Sequence, residues 1–220
     1  MWPRTYTTHH RAKPLLQLLS TEGCPVNFGP ACSTEKIEEE ILHGPHMSVN
    51  SIEARTALRS EAHTKVHIGF TKILKYKTIK DRLPPTLKVS PEACIPHKSR
   101  QYSVILDLSF RLRVHGKYLS SVNNATVKTA PQESMGQLVS TLKHLVAVMA
   151  DKYNLDFPFL FSKLDIAGGF WILVVSHLQA WDFCYVLPTT DGRQVSLGET
   201  ELVVPTALKM GWCESPPFSV

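Results

Sequence analysis

The sequence has no long hydrophobic run and few cysteines, and both absences exclude classes of protein. No stretch approaches the roughly 18 apolar residues of a membrane span, and the run 142–150 is broken by Lys143 and His144. Residues 1–13 are polar and basic with no apolar signal segment behind them, so we expect neither secretion nor a membrane partner. The five cysteines are widely spaced and odd in number, which favours an intracellular, reducing setting, cytoplasmic or nuclear, without disulfides.

Positive charge is concentrated in the middle of the chain. The 220 residues are 43% hydrophobic and 20% charged, as in ordinary globular proteins. Residues 55–128 carry 15 Lys and Arg against 4 Asp and Glu, whereas residues 1–54 and 129–220 have net charges of −2 and −4. Such a basic block is typical of contact with a polyanion such as nucleic acid, and a solvated basic face is the alternative.

The predicted helices lie between polar, loop-like segments. Residues 1–35 and 119–133 have loop composition, and a short helix at 36–42 ends before Gly44-Pro45. Helical patterns follow at 50–67, where Ser51 is a candidate cap, at 78–83 and at 134–150. The last of these helices has one apolar stripe that we expect in the core: Met135, Leu138, Leu142, Leu145 and Met149.

The predicted strands complete an α+β fold with an antiparallel sheet and packed helices. Pro91 and Pro96 interrupt one of them, which indicates an edge strand or a bulge. Asp191-Gly192 is a turn signal between the last two. The strands are expected at 70–76, 87–97, 102–110 (a buried strand), 159–166, 170–176, 183–188 and 201–206.

Two places carry candidate functional side chains. Asp165 ends an apolar strand, a common way to present a metal ligand, although an aspartate before Gly168-Gly169 is also typical of a capped turn. Lys98 and Arg100 lie at an expected hairpin tip, from which cations can reach a triphosphate or remain solvated.

Five segments, in this order, resemble the reverse transcriptases of eukaryotic retroelements (retrotransposons). Several of them are long and contain rare residues, so agreement of all five by chance is improbable. The resemblance extends from about residue 43 to residue 220. The segments are KVSPEACIPHKSR (88–100), VILDLSFRL (104–112), FSKLDIAGGFW (161–171), WDFCYVLP (181–188) and MGWCESPPF (210–218).

The resemblance implies part of a right-hand polymerase that transfers nucleotides to a primer 3′-hydroxyl. It implies a fingers-like region at 43–130 and an incomplete palm at 131–220, and we expect residues 1–42 to form a flexible N-terminal segment. Asp165 would be the first catalytic aspartate, and the carbonyl of Ile166 would help it to hold Mg²⁺. The partners would be an RNA or DNA primer–template and deoxynucleotides.

The resemblance also implies residues that contact the incoming nucleotide. Phe170, five residues after Asp165, matches the aromatic ring that excludes a ribose 2′-hydroxyl. Met210 and Gly211 match the segment that packs under the templating base pair. Lys98 and Arg100 lie where the fingers contact the triphosphate.

Two of the departures from this family pattern bear on nucleotide binding and catalysis. Ser103 stands where family members usually have an arginine, and no Tyr-x-Asp-Asp turn occurs in the 220 residues. Because one carboxylate cannot hold two Mg²⁺ ions, we expect that the chain alone does not polymerise DNA. The alternatives are a nonspecific nucleic-acid-binding fragment and an inert retroelement relic.

Overall fold

The computed structural model describes residues 13–29, 34–98, 101–130, 133–150, 169–193 and 196–215. The α-helices are α1 (Lys13–Thr21), α2 (Thr34–His43), α3 (Ile52–His67), α4 (Tyr76–Ile79), α5 (Val122–Ala125), α6 (Glu133–Ala150) and α7 (Gly169–Ile172). Short 3-10 helices span Met47–Val49, Lys80–Arg82, Gln179–Phe183 and Leu197–Glu199. The strands are β1 (Thr71–Lys75), β2 (Glu92–Pro96), β3 (Tyr102–Leu106), β4 (Arg113–Val114), β5 (Lys117–Tyr118), β6 (Tyr185–Leu187) and β7 (Glu201–Pro205).

The centre of the fold is a three-stranded antiparallel sheet in the order β1-β7-β6. Val203 of the middle strand pairs with Ile73 of β1 on one side and with Tyr185 of β6 on the other. Side chains alternate between the faces, so Val203 enters one hydrophobic cluster while Leu202 and Val204 enter another. The strand is apolar along most of its length because both of its faces are covered.

Helices cover the two faces of this sheet. Ala54, Leu58 and Ala62 of α3 are buried in the cluster that contains Val203. On the other face, Ile37 and Ile41 of α2 pack in the second cluster, which also contains Leu202 and Val204. The fold is therefore α+β with small antiparallel sheets, as the sequence predicts.

Two further hairpins extend from this core. β2 and β3 pair antiparallel with Glu92 opposite Leu106, and the amide of Ser90 donates to the carbonyl of Cys184 at 2.9 Å, which joins the hairpin's base to the central sheet. β4 and β5 form the other hairpin. Positive φ angles at His115 (47°) and Gly116 (79°) give its turn the twist that antiparallel strands favour.

Several local predictions are confirmed. The predicted helix 50–67 is α3, and the Ser51 side chain accepts a hydrogen bond from the Ala54 amide at 3.1 Å. The helical patterns at 78–83 and 134–150 correspond to Tyr76–Arg82 and to α6, and α2 ends before Gly44 as expected. None of the helices in the described ranges combines the length and apolar character that crossing a bilayer requires.

Other local predictions are wrong. α1 lies within the expected loop 1–35, and α5 lies within the expected loop 119–133. Residues 170–176 do not form a strand: they begin in α7 and then make only isolated bridges through Val174 and Val175. Apolar runs of this length do not distinguish a strand from a helical turn. The predicted strand 159–166 lies outside the described residues.

Two predictions about which side chains are buried are wrong. The apolar stripe of α6 was expected in the core, but Leu142 and Met149 are 54% and 51% exposed. The strand predicted at 102–110 ends at Leu106, and its Ile105 is 40% exposed. Among the described residues, β3 pairs with β2 alone. Periodicity identifies an apolar face, but it does not identify what covers that face.

A buried carboxyl group connects α2 to the segment before β2. Glu40 is buried, and its Oε2 accepts a hydrogen bond from the Val89 amide at 3.1 Å. Burial raises the pKa of Glu40 to about 7, an effect that the Val89 hydrogen bond and the nearby Lys88 oppose. The folded protein therefore retains this proton at a pH where the unfolded chain has lost it.

We predict that Glu40→Gln flattens the dependence of stability on pH. The Glu40 contribution is complete below about pH 4.5 and is lost as the pH rises through about 7, since the unfolded chain ionises first. The glutamine stays neutral, so the variant should lose about 2 kcal/mol less free energy of unfolding between these values. Urea denaturation across this range measures the difference, with the exposed Glu39→Gln as control; parallel curves for Glu40→Gln and the native protein would contradict it.

Candidate functional site

Segments that are distant in sequence meet beside the central sheet, and they are the segments that carry the resemblance. The segment before β2 lies along the segment before β6, where Ser90 bonds to Cys184. It also contacts the end of β3, because the Asp107 amide donates to the Pro91 carbonyl at 3.0 Å. Residues 88–92, 104–109 and 181–188 are therefore neighbours in the fold.

Asn123 of α5 connects two of these segments through its side-chain amide. Its Nδ2 donates to the Gly211 carbonyl at 3.0 Å and to Ser109 Oγ at 2.9 Å. Its Oδ1 accepts a hydrogen bond from the Cys213 amide at 2.9 Å. One side chain thus holds residues 211–213 against the loop that follows β3.

Gly211 makes a sharp bend at this contact. Its φ is +98°, a left-handed conformation that favours glycine, and a Cβ built on it would lie 3.6 Å from the Leu106 carbonyl oxygen. The residue before the bend, Met210, has a side chain that is 68% exposed. The segment therefore has backbone and one flexible apolar side chain at the surface.

Trp212 and Glu214 hold the same segment through contacts with the protein interior. Trp212 is 2% exposed, donates its indole N–H to Thr126 Oγ1 at 2.9 Å, and lies edge-on to the Phe183 ring at 5.6 Å. Glu214 is buried, and its Oε2 accepts hydrogen bonds from the backbone amides of residues 129–130 at 2.6 and 2.5 Å. The exposed bend at Gly211 is consequently supported by a fixed base.

Phe170 lies on a segment that runs beside this one. It is half-buried in α7, and the chain after α7 is joined to residues 206–208 by two hydrogen bonds: Leu208 amide to Leu173 carbonyl at 2.9 Å, and Val175 amide to Thr206 carbonyl at 3.0 Å. The structure thus places the segments that contain Phe170, Met210 and Gly211 next to one another.

A buried pair of opposite charges lies behind Met210. Glu92 and Lys209 are 3% and 7% exposed, and Lys209 Nζ lies 4.4 Å from the Trp171 ring centre and 5.4 Å from that of Tyr185. Burial raises the pKa of Glu92 and lowers that of Lys209, while their attraction opposes both shifts. Sequence reasoning missed this pair, although a single ionisable residue inside an apolar segment is a signal for it.

The remaining predicted site residues do not join this group. Lys98 is exposed beyond the end of β2, six residues from Glu92 and so roughly 20 Å along the hairpin from the Leu106 end that contacts Gly211. Arg100, Asp165 and Ile166 lie outside the described residues. Within the described ranges, no three His, Cys, Asp or Glu side chains are close enough to hold a metal ion. A Mg²⁺ site at Asp165 stays a prediction from the sequence.

Comparisons with known proteins add no family or relative. A scan against models of protein families gives no match, and a search of curated proteins gives none either. The resemblance to reverse transcriptases therefore rests on the five sequence segments.

We predict that Asn123→Ala loosens the Met210–Cys213 segment. The substitution removes three hydrogen bonds at a partly exposed site, so the free energy of unfolding should fall by about 1–2 kcal/mol. Amide hydrogen exchange at Cys213 should accelerate as well. Asn124→Ala is the matched control, because Asn124 is an exposed residue of the same helix. Equal exchange rates at Cys213 in both variants would show that the bridge does not hold the segment.

Proposed function

We propose that this chain carries the fingers and part of the palm of an RNA-directed DNA polymerase. The observation that supports the proposal is the Asn123 bridge, which joins the loop after β3 to Gly211 and Cys213. Ser109 belongs to the 104–112 segment that carries the resemblance, and Gly211 is a residue that the resemblance assigns to the nucleotide site. A primer–template and a deoxynucleotide are the proposed ligands.

The geometry at Gly211 suits contact with a nucleotide. A glycine at a positive φ removes side-chain bulk where the chain bends, so a flat base or sugar can approach the backbone. Met210 beside it offers a polarisable apolar surface, and the aromatic Phe170 lies on the adjacent segment. In the proposed site, Met210 and Gly211 support the base pair and Phe170 limits space at the sugar.

Basic residues would supply the contacts to phosphates. The net charge of residues 55–128 is +11, and Lys98 is exposed at the end of its hairpin with Arg100 two residues further on. Contacts of this kind position a nucleic acid without reading its sequence, and they weaken steeply with salt. The same charge favours the second candidate, nonspecific binding of nucleic acid without a nucleotide site.

Nucleotide binding is the part of the proposed function that this chain can test directly. Asp165 is the one catalytic carboxylate that the resemblance identifies, and the 220 residues contain no Tyr-x-Asp-Asp turn. In the family, Mg²⁺ bound to these carboxylates neutralises charge on the transferred phosphoryl group. A complex of the chain with primer–template and the templated deoxynucleotide depends on the proposed nucleotide-binding residues. It can form even when the nucleotide is not transferred to the primer.

We predict that the templated deoxynucleotide strengthens binding of a primer–template. With a dideoxy-terminated primer and Mg²⁺, the complementary nucleotide should slow dissociation at least about fivefold relative to a noncomplementary one, equivalent to about 1 kcal/mol of specific contacts. Gly211→Ala strains the bend and Met210→Asp places a charge at an exposed site, so each should remove the difference. Gly198→Ala is the control, because a Cβ there meets no atom within 4 Å. Fluorescence anisotropy with a labelled primer measures the rates.

The same assay separates the alternatives. Binding that falls with salt but does not distinguish complementary from noncomplementary nucleotides would support the nonspecific binder and contradict the polymerase proposal. Lys98→Glu should weaken either kind of binding more than Lys143→Glu, since Lys143 lies on α6, outside the basic block. If the chain shows no measurable binding of primer–template at low salt, the result would support the third alternative, an inert retroelement relic.

A further inference from the structure

A cavity of about 310 Å³ opens at the end of the central sheet that faces away from Gly211. It lies between the chain from α2 to α3 and the loop that joins β6 to β7. The polar side chains that line it include Arg55, Arg193, His43, His46, Asn50 and Thr189. Among the described residues that line it, none is acidic, so the cavity concentrates positive charge and hydrogen-bond donors.

Arg55 is the central group of this cavity. It is 9% exposed, its Nε donates to the Thr190 carbonyl at 3.3 Å, and its Nη1 donates to the Asn50 carbonyl. No carboxylate of the described residues forms an ion pair with it. The charge of Arg55 also interacts with that of the exposed Glu53. A buried guanidinium that is fixed by carbonyl groups and has no direct ion pair still favours an anion.

The backbone of Gly192 packs against the guanidinium of Arg55. The φ of Gly192 is +75°, and a Cβ built on it would lie 2.8 Å from Arg55 Cζ and Nη1. Any side chain at this position would therefore overlap the arginine. The turn that the sequence predicts at Asp191-Gly192 thus also brings backbone directly against the charged group.

Two further side chains with hydrogen-bond donors complete the lining. Arg193 follows Gly192, and its side chain is 86% exposed and pairs with the half-exposed Asp191 at 3.3 Å. Exposed ion pairs of this kind are weak, so a dianion can compete with Asp191 for the guanidinium. His46 accepts a hydrogen bond from the Ser48 amide through Nδ1, which leaves Nε2 as the donor of its neutral ring.

The geometry points to a phosphoryl-binding site in this cavity, with Arg55 and Arg193 as the ligands of the anion. Arginine suits a tetrahedral oxyanion because its planar guanidinium donates two parallel hydrogen bonds. The volume lies at the lower end of the range for small-molecule sites, which fits a phosphate with little attached to it. Its source is a free phosphate or phosphomonoester, or the 5′-phosphate of a nucleic acid.

This site does not depend on the proposed polymerase function. Its lining shares no residue with the Met210–Gly211 segment, and the two places follow opposite ends of β7. Gly211→Ala, which should abolish selective binding of the templated nucleotide, should therefore leave phosphate binding unchanged. Failure of one proposal is distinguishable from failure of the other.

Titration of the chain with inorganic phosphate, at ionic strength held constant with sodium chloride, tests the site. We expect saturable binding by calorimetry, weakened about tenfold in Arg193→Gln through loss of one charge-assisted interaction. Because Arg193 is exposed, this variant should fold normally, whereas Arg55→Lys tests the buried group directly. Lys117→Gln is the control: it removes one positive charge from the exposed strand β5 and should change affinity less than twofold.

Competition identifies the source of the phosphoryl group. A 5′-phosphorylated oligonucleotide that displaces phosphate at lower concentration than its 5′-hydroxyl counterpart supports a nucleic-acid end. Equal displacement by the two oligonucleotides, with tight binding of a nucleoside monophosphate, supports a small phosphomonoester. The proposal is overturned if phosphate binding is not saturable, or if Arg193→Gln, Arg55→Lys and Lys117→Gln all retain the native affinity.

Discussion

Burial of β7 on both faces is the constraint on which the rest of the fold depends. Leu202 and Val204 pack toward α2, and Val203 packs toward α3, so a shift of one residue would reverse all three. With the register fixed, the chain leaves the sheet at Pro205 in a defined direction. The bend at Gly211 follows six residues later, and its position derives from this strand.

Buried acids hold the irregular segments around that sheet. Glu40 accepts a hydrogen bond from the Val89 amide, and Glu214 accepts hydrogen bonds from the amides of residues 129–130. In each case a carboxyl oxygen satisfies backbone donors that no strand or helix pairs. Burying an acidic group removes it from water, and this desolvation cost is offset only when its hydrogen bonds are formed with good geometry. The contact therefore favours one arrangement of the loops over others. Asp182 and Glu92 are the exceptions, since each has one buried oxygen without a hydrogen-bond partner among the described residues.

The sequence predicted correctly those helix ends and turns that depend on residues close together in the chain. Ser51 at the start of α3, Gly44 after α2 and the Asp191-Gly192 turn each act within a few residues, and each prediction is confirmed. The run 170–176 was misread because its pairing partners are distant: Val174 bridges Ala207. The Asn123 bridge and the electrostatic attraction between Glu92 and Lys209 were missed for the same reason. A resemblance identifies segments, but it does not give the hydrogen bonds between them.

The central hairpin also separates the two candidate sites. The loop between β6 and β7 lies at one end of the strands and forms the wall of the cationic cavity, whereas the chain after β7 leads to Gly211. Five residues of strand separate these ends by roughly 17 Å, beyond the distance at which substitutions usually interact. The sheet therefore keeps the two sites apart. A substitution in the loop at Gly192 affects the segment 210–211 only if it alters the packing of β7. Because that strand is buried on both faces, substitutions confined to the loops beyond its ends leave its register intact.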